Sequence, residues 1–268
     1  MSVAIDKKEQ RIVALVWIIG IIVAWELASF FLKNVIHDPM ASAKLPYLHT
    51  IAMTFIKNWE TLLVAGAVTF SRAAIGFALG TIVGILLAVI MSLSKTMERI
   101  AFPYLIVSQM IPILGLAPII FIIVKDMNVS RIVIAAYITF FPVAVNMLSG
   151  LKSVEQDKKD LLFSIAASKF EVYQKLMFPS AMSYLFIGLK IAAPMAVTAS
   201  ILVDMLGSKS GIGVKILYSL YSNSTNLFWA SVFTSAFMGI ISYYIVIFVE
   251  RFCLPWQNAA PRKEGVRA

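Results

Sequence analysis

The sequence predicts an all-α integral membrane protein with six transmembrane helices, and three observations predict it. Of the 268 residues 60% are hydrophobic and only 14% charged, with a mean hydropathy of +0.87. Soluble domains carry roughly 25% charged and 45–50% apolar residues, so no soluble core could hide this composition. The apolar residues are gathered in runs of about twenty, the length that crosses a hydrocarbon layer of about 30 Å at 1.5 Å per residue. The net charge of +9 comes from lysines and arginines placed between those runs, the pattern of a threaded membrane chain and not of a phosphate-binding patch. One cysteine, Cys253, excludes an internal disulfide and a cysteine zinc cluster. The two histidines, His37 and His49, stand far from any acidic cluster and argue against a metal site.

Residues 1–11 form a polar, basic N-terminal segment, and 12–249 the transmembrane domain. Ile12 to Leu32 is apolar except for Glu26. A cleaved signal peptide is the competing reading, but its apolar region is roughly 7–15 residues and ends at small side chains. This run is longer and ends Phe30-Phe31-Leu32-Lys33, so it reads as a retained first span, 12–32. Leu48, Ile51, Ala52, Phe55, Ile56 and Trp59 fall on one helical face, which predicts an amphipathic helix at the membrane surface with Trp59 at headgroup depth.

Thr61 to Leu93 is apolar apart from Arg72 and exceeds one span; the second crossing is placed at 66–93. Gly76, Gly80 and Gly84 repeat every four residues in it, a spacing that lets a neighbouring helix approach closely. The third span, 100–124, contains Pro103, Pro112 and Pro118, and the fourth, 132–151, contains Pro142 and Asn146. Prolines free backbone groups that a membrane tolerates only where packing or a cavity satisfies them again. A polar loop at 152–180 precedes the fifth span, 182–203, which is apolar except for Lys190. Asp204 to Asn226 is a connection containing Gly and Ser, 227–249 is the sixth span, and 250–268 is a polar, basic tail.

Six spans put both termini on one side. That side holds Lys7, Lys8, Arg11, Lys95, Arg99, Lys152, Lys158, Lys159, Lys169, Lys175, Arg251, Arg262, Lys263 and Arg267; the other holds Lys33, Lys44, Lys57, Lys125, Arg131, Lys209 and Lys215. The excess of cations assigns the termini and the 152–180 loop to the cytoplasm.

The loop itself places Asp160, Lys169, Glu171 and Lys175 within sixteen residues, too many charges for hydrocarbon. Yet Leu161, Leu162, Ile165, Phe170, Tyr173 and Leu176 leave apolar patches along it. A solvated helix with apolar patches suits a groove on a soluble partner. Aligned on Pro179, the stretch resembles the cytoplasmic coupling loop of permease subunits of binding-protein-dependent ABC importers. Their pattern is Glu-Ala-Ala, three residues, Gly, nine residues, Ile-x-Leu-Pro. Here Asp160 stands at the Glu, Leu161 and Leu162 at the two Ala, Ala166 at the Gly, and Leu176 and Phe178 at the Ile and Leu.

The resemblance extends over most of the chain. Leu45-Pro46, Ser71-Arg72 with Gly76-Phe77, Ile111-Pro112 with Leu116-Ala117-Pro118, and Phe141-Pro142 with Asn146 and Gly150 take part in it. So do Gly188-Leu189-Lys190 and Leu206-Gly207 with Gly211-Ile212-Gly213. Together they are similar to the sulfonate, nitrate, taurine, thiamine-precursor and riboflavin permease group. That group carries a Trp-Phe-Gly-like step where this chain has Val124-Lys125-Asp126.

The resemblance implies a type I ABC importer permease with a cytoplasmic coupling helix, residues 155–178 being gripped by two ATPase subunits. Its coupling residues would be Asp160, Leu161, Leu162, Ala166, Phe170, Glu171, Tyr173, Leu176 and Pro179. The partners it implies are an extracytoplasmic solute-binding protein, cytoplasmic ATPases and a second permease copy, as a homodimer, in the cell's inner membrane. ATP and Mg would sit on the ATPase, with no cofactor or metal on this chain and no nucleic acid.

Several residues carry a bland reading beside the functional one. Asp160 also suits a helix N-terminus, where the dipole favours an acid. Ser108, Gln109 and Asn146 lie beside prolines and, with Met110, Pro112, Met195 and Thr198, are the candidate translocation path; helix kinks and methionine core filling are the alternatives. Arg72 and Lys190 must snorkel, pair or face a cavity, and Lys190 is expected to bind backbone carbonyls or helix ends. Glu26 is expected to snorkel or to pair with Arg72, and Asp204 to end the fifth span or touch the binding protein.

The sequence has no Gly-x-x-x-x-Gly-Lys-Ser/Thr phosphate loop and no Ser-His-Asp, Cys-His or His-Glu-x-x-His arrangement. The chain therefore reads as a conduit driven by its partners and not as an enzyme. The rivals are a proton-driven secondary transporter, which needs acids in its pathway, and a membrane-embedded enzyme. The Leu-Leu variant and the lack of a cationic cluster in the spans favour an aromatic heterocycle, such as a vitamin or its precursor, over a sulfonate, taurine or nitrate.

Overall fold

The computed structural model describes residues 7–255, and these are helical almost throughout. The helices are α1 (Lys7–Asn34), α2 (Ala41–Lys44), α3 (Leu48–Lys57), α4 (Trp59–Leu93), α5 (Lys95–Met110), α6 (Ile113–Val124) and α7 (Met127–Lys152). They continue with α8 (Gln156–Ser164), α9 (Lys169–Val172), a wide π turn at Tyr173–Met177, α10 (Phe178–Met205), α11 (Ile212–Tyr221) and α12 (Thr225–Cys253). Among the described residues, five helices are long and apolar enough to cross a membrane, or six if the bent pair α5–α6 is one span. Of the expected N-terminal segment 1–11 and tail 250–268, residues 1–6 and 256–268, with Arg262, Lys263 and Arg267 of the charge count, lie outside the described residues.

The bend falls inside the expected third span, 100–124, at Pro112, one of the three prolines that interrupt it. The chain turns by 99° between α5 and α6. Pro112 has no N–H to continue the helix and pushes its predecessor out of the helical region. Ile111 and Pro112 accordingly adopt extended backbone, with φ −75°, ψ 120° and φ −67°, ψ 125°. At the other end of α6, Lys125 takes a left-handed conformation (φ 59°), and the Asp126 carboxylate accepts the N–H groups of Asn128 and Val129 to start α7. The departure at Val124-Lys125-Asp126 is thus a helix stop followed by an N-cap. The connection expected after the fifth span, Asp204 to Asn226, contains α11.

The chain divides into two compact units, the boundary falling within α4, α11 and α12. One comprises residues up to Val64 with Lys215–Thr234. In it Trp25 on α1 donates to the Pro46 carbonyl at 2.9 Å and meets Trp229 edge-on with ring centroids 5.3 Å apart. Ser29 donates to the Leu45 carbonyl at 2.8 Å. The predicted amphipathic helix is α3, whose Ile51 is buried while Ile56, and Trp59 beyond it, are exposed. Most of the apolar surface of α1 is also exposed, as suits a helix facing lipid.

The other unit comprises Ala65–Val214 and the chain from Ser235. Here α7 and α10 form the centre, with Val143, Ala144, Met147, Leu151, Ala181 and Ala192 buried together. A Cβ on Gly150 would stand 2.8 Å from the Ala181 Cα, and one on Gly188 2.8 Å from the Pro142 carbonyl. Gly76, Gly80 and Gly84 bring α4 equally close to α7, against Ala135, Ala136 and Phe140. The four-residue glycine repeat is therefore a helix-packing surface.

Candidate functional site

The solvated stretch folds as two short helices joined by a tight turn. Helix α8 ends with the Ala166 N–H on the Phe163 carbonyl and the Ala167 N–H on the Leu162 carbonyl, both 3.0 Å. These are the paired bonds of a Schellman ending, which requires a left-handed residue at its centre. Ala166 takes that role at φ 63°, and only glycine does so without strain. The small residue expected at this position thus has a backbone reason. Ser168 then opens α9 with a capping box: the Ser168 N–H donates to Glu171 Oε2 at 2.9 Å, and the Glu171 N–H to Ser168 Oγ at 3.2 Å. Bonds from Ser168, then Lys175 at 3.3 Å, hold the Glu171 carboxyl below its ordinary pKa. Pro179 follows the π turn, where the Phe178 N–H reaches back five residues to the Tyr173 carbonyl. The widened turn fits a residue with no N–H to give.

The helix pair sorts the expected coupling residues into two sets. Leu161, Ile165 and Phe170 are exposed, at 66%, 70% and 71%. Tyr173 and Leu176 are partly buried instead; the Tyr173 hydroxyl lies 3.2 Å from Ser92 Oγ on α4. Leu162 is also half-buried. Asp160 lies past the first turn of α8, where Asp157 is the first-turn acid, and accepts from Gln156 at 2.8 Å. The helix-dipole reading of Asp160 is therefore corrected.

Three of the expected path residues meet in one place. Gln109 on α5, Pro112 in the bend and Met195 on α10 line a cavity of about 290 Å³ with Ile111, Ile113, Tyr137 and Ile138. The Tyr137 hydroxyl donates to the Ser108 carbonyl. Gln109 Nε2 is buried without a hydrogen-bond partner, an expensive state for an amide. The other four are elsewhere. The Ser108 hydroxyl donates to Leu105, Met110 is exposed, Thr198 donates to Pro194, and Asn146 turns its amide to the Pro142 carbonyl at 2.7 Å. Tyr137 escaped the sequence reading; a hydroxyl within an apolar run five residues before Pro142 was the available signal.

Three charged side chains of the spans meet partners that the sequence did not name. Lys190 pairs with Glu250 on α12 at 2.6 Å and not with backbone carbonyls. Glu26 meets His49, 3.3 Å from Nδ1 and from the backbone N–H, and not Arg72. Asp204 does not simply end a span: it is 1% exposed, 2.5 Å from Thr69 Oγ1 on α4 and 3.1 Å from Arg131 Nε on α7. Thr69 in turn accepts the Ile212 N–H at 2.9 Å, tying the turn after α10 to the same node.

Comparison with known proteins agrees with this architecture. Residues 80–253 match the family described as binding-protein-dependent transport system inner membrane component. The formylaminopyrimidine transport permease protein ThiX of Halalkalibacterium halodurans is 30% identical over 89% of this chain and 93% of its own. The putative aliphatic sulfonates transport permease protein SsuC of Bacillus subtilis is 27% identical over 82% and 80%. A crystal structure of an amino acid ABC transporter with histidines superposes with a TM-score of 0.61, covering 74% of this chain and 97% of that one. At 14% identity it speaks for the fold alone. The chain belongs to the binding-protein-dependent inner membrane transport family and is a permease subunit of an ABC importer of this group.

Proposed function

We propose that this permease subunit forms, with a second copy of itself, the translocation path for a small solute delivered by an extracytoplasmic binding protein. Separate cytoplasmic ATPases, which hold ATP and Mg, drive it, and this chain carries out no nucleotide chemistry of its own. Both termini and the α8–α9 pair face the cytoplasm. The observation that carries the reading is the helix pair itself: Leu161, Ile165 and Phe170 stand exposed on a charged segment locked by its own turn and capping box. Large apolar side chains held out on a rigid, polar element are suited to anchor in a partner's groove.

The cavity at Gln109, Pro112 and Met195 supports the path. It is mostly apolar, with an unpaired amide and a tyrosine and no charged residue in its lining. This chemistry favours a neutral aromatic heterocycle, such as a vitamin or thiamine- or riboflavin-type precursor, over a sulfonate, taurine or nitrate. Proteoliposomes holding the chain, its ATPase and its binding protein should take up solute only when ATP is enclosed on the ATPase side. Uptake driven by a pH gradient without ATP would instead establish a proton-coupled transporter.

A further inference from the structure

The unit that contains α1 and α3 holds two adjoining hollows, which share Ser42 and Asn226 and so form one trough. The smaller, about 130 Å³, lies between the end of α1 and the segment from Ala41 to Thr50. Lys33 is its only charged lining residue. Its Nζ sits over the Tyr47 ring, 5.4 Å from the centre, and pairs with no carboxylate among the described residues. The nearby carboxylates are engaged elsewhere, Asp38 with Lys44 and Glu26 with His49. The larger hollow, about 480 Å³, is lined by hydroxyls and amides, Asn58 among them, and by no charged side chain. Where the hollows meet, Ser42 Oγ and the Asn226 amide nitrogen donate to nothing among the described residues.

The position of the trough narrows what can fill it. The apolar run of α1 ends at Asn34, so Lys33 stands where hydrocarbon gives way to headgroups. Val23, Leu27 and Phe30 lead up to Lys33 in steps of four, three and three residues, along one face of the helix, and all three are exposed. A cation and a set of hydrogen-bonding groups thus stand at the end of an apolar track. An amphipathic anion with a hydroxyl-bearing head matches all three parts. A zwitterionic head would bring an ammonium to a trough that offers it no carboxylate, and to a tyrosine ring already covered by Lys33.

We propose that this trough binds the head of a phosphoglycerol lipid. The phosphate sits at Lys33, the glycerol hydroxyls lie among Ser42, Asn58 and Asn226, and an acyl chain runs along Val23, Leu27 and Phe30. The site needs neither solute nor nucleotide, and so does not depend on the transport cycle.

The test is a titration of the full chain with its ATPase in neutral detergent, read by melting temperature. The probes are dioleoyl phosphatidylglycerol, dioleoyl phosphatidylcholine and glycerol 3-phosphate. Phosphatidylglycerol should raise the melting temperature by about 5 °C or more at saturation, and the other two by no more than about 1 °C. Lys33→Gln should raise the phosphatidylglycerol concentration at half-effect about fivefold, the loss of one cation at a lipid surface. Lys57→Gln, a lysine of the same unit outside the trough, should leave it unchanged. Asn226→Asp sets a carboxylate beside the phosphate and should weaken the effect as well; it decides alone if Lys33→Gln does not fold. Equal stabilisation by both lipids overturns the site in favour of a non-specific lipid belt, and equal loss in the two lysine variants in favour of diffuse surface charge. A full effect from glycerol 3-phosphate overturns it in favour of a soluble anion. No stabilisation by phosphatidylglycerol overturns it outright.

Discussion

Gly80→Ala should destabilise the protein although alanine is the better helix former. A Cβ at this position would stand 1.9 Å from Thr139 Oγ1 and 2.6 Å from the Ala136 carbonyl oxygen. The threonine can rotate away, but the carbonyl belongs to α7 and cannot. Contact at 2.6 Å is about 0.8 Å short of the 3.4 Å where ordinary packing begins, so α4 and α7 must move apart. Overpacking of this kind costs about 1–3 kcal/mol, while replacing glycine in a helix interior returns about 1 kcal/mol. The net loss is about 0–2 kcal/mol, reaching roughly 8 °C at 2–4 °C per kcal/mol, so the gain an open glycine site would show is cancelled or reversed. Gly20 on α1 is the control, because nothing lies within 4 Å of its Cβ position; Gly20→Ala should raise the melting temperature. Tryptophan-fluorescence melting in detergent reads both. If Gly80→Ala stabilises as much as Gly20→Ala, α4 does not pack on α7 through the glycine face.

Three further outcomes are expected. The Glu171 carboxyl is held below its ordinary pKa, chiefly by the Ser168 N–H, so its contribution is present above the unfolded carboxyl value of about 4.3 and is lost as pH falls through the folded one. Hydrogen-exchange protection of residues 168–172 should drop in acid in the wild type but not in Glu171→Gln; equal behaviour counts against the capping box. Gln109→Leu should weaken uptake by about tenfold or more, as expected when a buried amide loses its ligand partner, while Asn146→Leu should change stability more than uptake; the reverse pattern would move the path to Asn146. An impermeant thiol probe outside intact cells should label Lys209→Cys and miss Lys158→Cys in a Cys253→Ser background, and the opposite labelling would invert the topology.

What the sequence disclosed depended on range. Helix type and the glycine packing face were legible because a 3.6-residue period and a four-residue glycine spacing are local signals. The capped ends at Asp126 and Ser168 were present in the sequence as local caps but went unread. The Pro112 bend was legible as an interruption, but its 99° angle depends on how α6 packs on α7 and has no local signal. Helix α11 was missed because ten residues behind Gly207 and Gly211 resemble a loop. The Arg131–Asp204 node was missed because its partners are 73 residues apart and each stands at the end of an apolar run, where a charge ordinarily meets solvent. At the helix pair the apolar residues were legible but not their sides: Phe170 is exposed while Tyr173, three residues on, lies against Ser92 on α4, 81 residues away in the chain.

The central claim is that the α8–α9 pair transmits the ATPase cycle to the spans, and Phe170→Ala tests it most directly. Phe170 is 71% exposed in the chain alone, so its truncation should leave the melting temperature of the isolated permease unchanged. Docked in a groove it becomes an anchor worth about 2 kcal/mol or more, roughly a thirtyfold loss of affinity. Co-purification of the ATPase with tagged permease, beside solute-stimulated ATP hydrolysis in proteoliposomes, measures the effect. The account predicts that Phe170→Ala sheds the ATPase or uncouples hydrolysis from uptake while the permease stays folded. Wild-type co-purification together with wild-type coupled hydrolysis would contradict it and leave residues 156–177 a solvated connection.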